Sequence, residues 1–373
     1  MASIPNLNTL RRGGQRRRGG RGGRAVPEND DTSNLENSEN EKNDRIIQQT
    51  DYDASSSRVS AVALGYLDDP YAQLFLQPGE QIAKRYPMHN RGSYVRTTAI
   101  DRFVTSFIRH PSMEGGDAKR QIISLGAGSD TRFWRLCRGD HGRRTDVVYH
   151  ELDFEKNVEQ KRQAIERAPE LESQLEPTAE MPSTYFLHAL DLRTLARSPT
   201  EHKITGLNPS LPTLLLSECC LCYVPPDTAT SIIKYFTNII NGPVAVILYE
   251  PIRPYDPFGR TMVANLGSRG IQLQTLRRFH SLEAQRKRLQ MAGFDDKQGA
   301  RDIHQIWTDN DWISEAERER VEKLEWLDEV EEWELIGSHY CVTWGWKGDV
   351  FSGAWEGIEG GRTGSEARDD EFG

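Results

Sequence analysis

Two runs in the middle of the chain, LLLSECCLCYV from Leu214 and PVAVILYE from Pro243, are apolar at consecutive rather than alternate positions. A strand with one wet face alternates apolar and polar residues, so a strand apolar on both faces must be covered on both. That confines the chain to a mainly parallel sheet packed between helices. The surrounding pattern agrees. Strands are expected at 121–125, 147–152, 184–190, 213–222 and 244–249, with helices at 131–137, 154–166 and 227–240. This alternation is that of a doubly wound α/β sheet, whose ligands bind beyond the carboxyl ends of the strands.

Helical spacing covers 58–76 and 94–109 before the sheet, and 281–291 and 314–330 after it. The chain then closes on HYCVTWGW, residues 339–346, a strand suited to antiparallel addition at the sheet's edge. Residues 252–280, rich in Pro, Arg and Gly, read as an insertion over the carboxyl edge, where a substrate lid would lie. Three parts follow: a disordered tail over 1–44, Arg/Gly-rich and then acidic; one domain over 45–350; and a flexible C-terminal tail over 351–373.

The formal charge of −9 hides a division, since residues 1–24 hold seven Arg and no acidic residue. The remainder carries 40 basic against 56 acidic residues, a net charge of about −16. Nucleic acids reward Lys and Arg clustered on a folded surface, so the body suits them poorly. The tail alone is suited to single strands, as an accessory role. No apolar run approaches the roughly 20 residues that span a membrane, and the first residues lack an export signal's apolar segment. The five cysteines, an odd number, show no CxxC spacing with a His partner. Reduced structural thiols in a cytoplasmic monomer are the expectation.

QIISLGAGSDTRFWRL, residues 121–136, reads as a buried strand, a glycine turn and the first turn of a helix. Gly126 and Gly128 let the backbone bend and approach a ligand closely, and Ser129 or Asp130 caps the helix. A dinucleotide site would carry GxGxxG and offer its helix N-terminus to a pyrophosphate; here an aspartate stands where that anion would sit. A nucleoside without phosphate fits better, and S-adenosylmethionine is the common one. GxG by itself also fits an ordinary tight turn.

The following strands end in polar residues matched to such a ligand. Asp153, in YHELDF, can accept from two vicinal ribose hydroxyls. Asp191 with Leu192, in HALDLR, suits an exocyclic amine and an apolar wall against a base. Either aspartate is equally suited to capping the helix that follows it. Glu218 lies inside a buried run and needs a partner, either the ammonium of a cofactor's methionine end or a buried cation of the chain. Arg58 and Arg96 lie on amphipathic helices, where spacing alone reads them as solvated. His150, His188, His280 and His339 read as structural, since no Ser or Cys motif accompanies them.

Taken in order, GYLDDPY, NRGSYVRTTAID, SLGAGSDTRFWRL, LLLSECCLCYVPP, YEPIRPYDPFGRTMVANLGSRG, SLEAQRKRLQMAGF and ERERVEKLEWLDEVEEWELIGSHYCVTW resemble the leucine carboxyl methyltransferase family from about 58 to 346. The resemblance implies a seven-stranded, S-adenosylmethionine-dependent methyltransferase fold. It also implies esterification of the C-terminal leucine carboxylate of the protein phosphatase 2A catalytic subunit. On this basis Arg96 holds the cofactor's carboxylate, Glu218 its ammonium and Asp153 its ribose. Gly126 makes the close backbone approach, Asp191 and Leu192 border the adenine, and Arg58 stands where the family has a basic contact, usually lysine.

The chemistry asks for no general base. An α-carboxyl group has a pKa of about 3.3 to 3.7, so it reaches the enzyme already ionised and able to attack a methyl group. No catalytic residue is therefore expected beyond cofactor clamps and an orienting cation, Arg96 or one from the insertion. A small-molecule O-methyltransferase on the same sheet would share the glycine turn but not the whole series of blocks.

Overall fold

The apolar runs form the middle of one seven-stranded sheet. The computed structural model describes residues 31–79, 84–110, 119–137, 146–178, 182–199, 202–294 and 297–359. Its strands are β1 (Arg120–Leu125), β2 (Val147–Asp153), β3 (Thr184–Ala189), β4 (Thr213–Glu218), β5 (Val244–Pro251), β6 (Lys297–Asp302) and β7 (Tyr340–Lys347). They lie in the order β3-β2-β1-β4-β5-β7-β6, with β7 antiparallel to both neighbours and every other pair parallel.

Every residue of β1, β2 and β5 is buried, and β4 is buried up to Glu218. Alternate side chains enter different cores, as strands covered on both faces require. Ile122, Leu214 and Ile247 join Ile100, Phe103 and Phe107 of α2 (Pro87–Arg109), whereas Ile123, Leu215 and Val246 pack with Ile232 and Phe236 of the helix Pro226–Ile239. The strand order reverses at β1, which pairs with β2 on one side and β4 on the other. A crevice opens beyond the carboxyl ends of those strands, because the chain leaves them in opposite directions.

Several boundaries differ from the sequence expectation. β4 stops at Glu218 instead of running to 222, because Cys219 takes a left-handed conformation (φ 47°) and the short 3₁₀ turn Leu221–Tyr223 follows. β6 was not anticipated at all. Its residues, KQGARD, carry no apolar pattern because it is an edge strand with one neighbour, held by its ladder to β7. Of the helix expected at 58–76, only 58–63 are α-helical, as the last turns of α1 (Asp31–Ala63), and Ala72–Phe75 is a 3₁₀ turn; α1 runs back through residues 31–44, where disorder is expected from the sequence. It ends where Gly65 adopts φ 81° and the N–H groups of Gly65 and Tyr66 donate back to Val62 and Ala61.

The helix expected at 314–330 stops early, as Glu315–Glu322, and a separate helix, Val330–Ser338, begins only at its last residue. The break lets Leu324 pack on the core and lets Glu325 accept from Asn90 at 2.8 Å. The C-terminal tail expected from 351 begins as the helix Asp349–Glu359. Phe351 stacks on Phe107 at 4.7 Å, and the Trp355 indole donates to the Phe103 carbonyl at 3.1 Å. Both rings are fully buried, so an i, i+4 aromatic pair fastens this helix to α2. Residues 1–30 and 360–373, on which the rest of the tail expectations fall, lie outside the described residues.

Candidate active site

Leaving β1, the chain turns sharply beneath the end of β4. Gly126 (φ 63°) and Gly128 (φ 49°) both take left-handed backbone. A Cβ on Gly126 would stand 2.5 Å from Cys220 Sγ, so this position needs glycine for its turn and for the close approach of the next chain segment. The Gly128 N–H donates to Asp153 Oδ2 at 2.7 Å, while Asp153 Oδ1 accepts from Phe154 N and Asn157 Nδ2. Burial outweighs these bonds and pushes the Asp153 carboxyl up to about 6. With three acceptances from the chain, a carboxylate keeps lone-pair capacity for a ligand. Asp130 caps α3 (Arg132–Cys137), accepting from Arg132 N at 3.1 Å. Ser129 instead donates its N–H and hydroxyl to Asp51 of α1, both at 2.8 Å.

Behind the turn lies a residue that sequence reasoning missed. Arg132 is fully buried; its Nε meets Asp101 at 2.7 Å, and its Nη1 bridges Asp130 at 2.7 Å and Glu218. Arg96 Nε faces the other Glu218 oxygen at 3.0 Å, Arg58 pairs with Asp69 at 3.2 Å, and Arg135 pairs with Asp101. Four guanidiniums thus interleave with four carboxylates. Burial opposes charge on both partners, yet Asp130 and Glu218 hold Arg132 well above its ordinary pKa, and Arg132 and Arg96 hold Glu218 below its own. Of the two partners open to Glu218 in the sequence, the structure supplies the buried cation of the chain, Arg132, with Arg96 beside it. Arg132 stands in the glycine-turn motif itself, but an arginine in a helix's first turn usually reads as solvated.

Arg96 keeps capacity to spare. Its Nη1 is buried without a hydrogen-bond partner, and its guanidinium lies 5.1 Å from the centre of the Tyr249 ring. A buried donor left unmatched is costly, so a carboxylate ligand here would gain a strong, charge-assisted bond.

The far wall comes from α1, whose N-terminal part, to Asp44, falls where the sequence reads as disorder. Asp44, Ile47, Thr50, Asp51, Ala54 and Arg58 recur at helical spacing and line one cleft. Arg193 fastens that wall, donating to Asp44 at 2.6 and 2.9 Å and to Asp191 at 2.9 and 3.0 Å. Asp191 also caps the helix Leu192–Arg197, so the two roles open to it in the sequence coexist. From the 252–280 insertion, Gln274 lines the cleft and donates to the Tyr223 carbonyl at 2.7 Å, and Arg269 pairs with Asp53 of α1. The cleft encloses about 1300 Å³ including its open mouth, and Arg58, Arg96, Gly126, Asp153, Asp191, Leu192 and Glu218 all line it.

No histidine is among the lining residues described. His150 stacks on His188 with ring nitrogens 3.1 Å apart, and burial, then His188, pushes His150 down to about 3. His339 joins the Leu335 carbonyl at 2.7 Å to Asp256, the cap of the helix Pro257–Ser268. These are structural placements.

A seven-stranded sheet of this order, with a glycine turn and strand-end carboxylates around its crevice, is that of an S-adenosylmethionine-dependent methyltransferase. A family model described as Leucine carboxyl methyltransferase matches residues 46–237. The chain is 47% identical over 402 residues to Leucine carboxyl methyltransferase 1 of Aspergillus fumigatus, an alignment covering 96% of this chain and 98% of that protein. It is 34% identical over 315 residues to human tRNA wybutosine-synthesizing protein 4, covering 82% of this chain and 45% of that protein. Among solved structures, it is similar to the plantazolicin methyltransferase BamL in complex with a triazolic desmethylPZN analog and SAH. That likeness has a TM-score of 0.40 at 8% identity, over 78% of this chain and 96% of that one. The chain belongs to the leucine carboxyl methyltransferase family. Its co-substrate is S-adenosylmethionine, and the residues present fit it: an unmatched Arg96 donor, an Asp153 with lone pairs to spare, and a turn where no Cβ intrudes.

Proposed function

We propose that this methyltransferase esterifies the C-terminal leucine carboxylate of the protein phosphatase 2A catalytic subunit, acting as a cytoplasmic monomer. The observation that carries the reading is the 47% identity over nearly the full length of both chains to a protein named for leucine carboxyl methylation. Bound S-adenosylmethionine supplies the methyl group on a cationic sulfur. Arg96 and Glu218 would hold its amino-acid end, Asp153 its ribose, and Asp191 with Leu192 the rim at its base, with Arg58 holding the arginine–carboxylate cluster in register. The substrate carboxylate arrives ionised, so the protein's task is to align it and exclude water rather than to remove a proton. A cleft lined by arginines and buried strand ends is suited to both.

The test is methyl transfer from labelled S-adenosylmethionine to the phosphatase catalytic subunit with and without its terminal leucine. Base-labile label on the intact subunit alone is the expected result. Equal labelling of the truncated subunit, or none of either, refutes the assignment.

A further inference from the structure

The 252–280 insertion carries five arginines and a single acidic residue, Asp256, whereas the rest of the chain from residue 25 carries 35 basic against 55 acidic residues. Such a local reversal of sign attracts what the remainder of the surface repels. Three of the arginines are engaged within the fold: Arg253 pairs with Asp302 at 3.4 Å, Arg269 with Asp53 and Arg278 with Asp227. Arg260 and Arg277 are exposed and meet no acidic side chain among the described residues. Both adjoin one ring. Tyr255, 56% exposed, accepts from Arg260 at its backbone carbonyl and donates its hydroxyl to the Arg277 carbonyl at 3.2 Å. His280, also exposed, stands edge-on to the same ring with centres 5.6 Å apart. The patch lies at the carboxyl end of the sheet: Arg253, two residues beyond β5, donates its N–H to the His280 carbonyl at 2.8 Å, and Thr275 donates to Glu250 of β5 at 3.3 Å. Gln274 lines the cofactor cleft, and three residues of chain cannot carry Arg277 more than about 11 Å from it. Among the described residues, Gln274 is the insertion's one contribution to the cleft lining, so both unpaired arginines stand outside the cofactor's contacts.

We propose that Tyr255, Arg260 and Arg277 form a docking surface for acidic side chains of the methylated protein, a few residues before its terminal carboxylate. A chain whose last carboxylate is placed at the methyl group must leave by the mouth of the cleft, and in extended form it advances about 3.4 Å per residue. From about the third residue back it therefore passes the rim where the arginines stand. The acidic body repels such a segment elsewhere, so charge at the rim orients the incoming chain as well as attracting it. The half-exposed Tyr255 ring gives the same segment an apolar platform between two cations. Two unpaired arginines in so acidic a body are too few for a nucleic acid, which rewards many phosphate contacts at once. The inference deepens the proposed function and rests on it only for an acceptor that is the C-terminal carboxylate of a protein.

The experiment measures, by fluorescence anisotropy, the binding of short labelled peptides to the full chain saturated with S-adenosylhomocysteine. All end in leucine, and they carry Glu, Ser or Lys from the third residue before it. The Glu peptide should bind about five- to twentyfold more tightly than the Ser peptide, exposed ion pairs contributing up to about fivefold each, and the Lys peptide should bind least. The preference should vanish in salt of about 1 M, where charges are screened beyond about 3 Å. It should vanish also in the double variant Arg260→Glu with Arg277→Glu, and largely survive in Arg260→Lys with Arg277→Lys. The glutamate variant should keep the parent's cofactor affinity and melting temperature. With the phosphatase subunit as substrate, it should raise KM by about five- to twentyfold at unchanged kcat. Equal binding of the three peptides, binding of none, or a Glu preference that outlasts the charge reversal overturns the surface. So does a labelled single-stranded RNA that these two arginines hold more tightly than the Glu peptide. A parent enzyme that leaves the phosphatase unmethylated overturns the assigned substrate instead, and the order of the peptides still decides the surface.

Discussion

Replacing Arg132 with leucine probes the charge cluster behind the glycine turn most directly. The side chain is 1% exposed and meets three carboxylates, Asp101, Asp130 and Glu218. Removing one partner of a buried pair costs about 3–5 kcal/mol, because the other charge is left unmatched. Here the orphans keep partial cover, since Arg135 remains on Asp101 and Arg96 on Glu218, so the low end applies: about 3 kcal/mol. Against a stability of about 5–15 kcal/mol that is a large share, and with a urea m-value of about 2–3 kcal/mol/M the midpoint should fall by about 1–1.5 M.

The cluster also fixes the sign of a pH effect. Asp101, Asp130 and Glu218 are each held below the ordinary carboxylate value by the arginines, against the pull of burial. Their contribution is fully present above the unfolded value near pH 4 and is lost as pH falls through the folded values, so Arg132→Leu should lose less on acidification than the parent. In the double variant Arg132→Leu with Glu218→Gln, the cost should be about 1–3 kcal/mol less than the sum of the single changes. Urea titrations at unchanged m-value measure all of this. A single-variant cost below about 1 kcal/mol, as for a surface pair, or strict additivity, refutes the network.

Asp153→Ala should raise the cofactor's dissociation constant by calorimetry. In the parent, affinity should be flat above about pH 7 and weaken by up to about tenfold per unit below 6, as the carboxylate that accepts from ribose is protonated. For folding the sign is reversed: the raised Asp153 makes stability fall as pH rises from about 4 to about 6, because the folded chain keeps a proton the unfolded chain releases. Gly126→Ala should cost about 1–2 kcal/mol from its left-handed backbone alone and more from the collision with Cys220. Adding Cys220→Ala should recover only the part of the collision made by Sγ, since the Cys220 Cβ would still stand 2.8 Å from the new Cβ; thermal melts of the two variants would separate that part. His150→Gln and His188→Gln should each leave methyl transfer within about threefold, since a true general base is worth about 10² to 10⁴. Loss on that larger scale in a folded variant refutes a base-free reaction.

The sequence by itself determined the layer architecture and the residues at the strand ends. Continuous apolar strands can be satisfied in few ways, and a parallel sheet delivers its polar strand ends to one edge, so Asp153, Asp191 and Glu218 share a cleft. The polar edge strand β6, the continuation of α1 to Asp31 and the helix after 348 left weaker signals. Their stability comes from a ladder with β7, from Arg193 gripping Asp44, and from Phe351 and Trp355 in the core. Only the tertiary structure decided where each charge finds its partner. Arg132 reads as an ordinary helix arginine until folding brings α3, α2 and β4 together around it. Burial then turns an exposed-looking side chain into the counter-ion of Glu218, because in a low-dielectric interior position alone sets what a charge is worth.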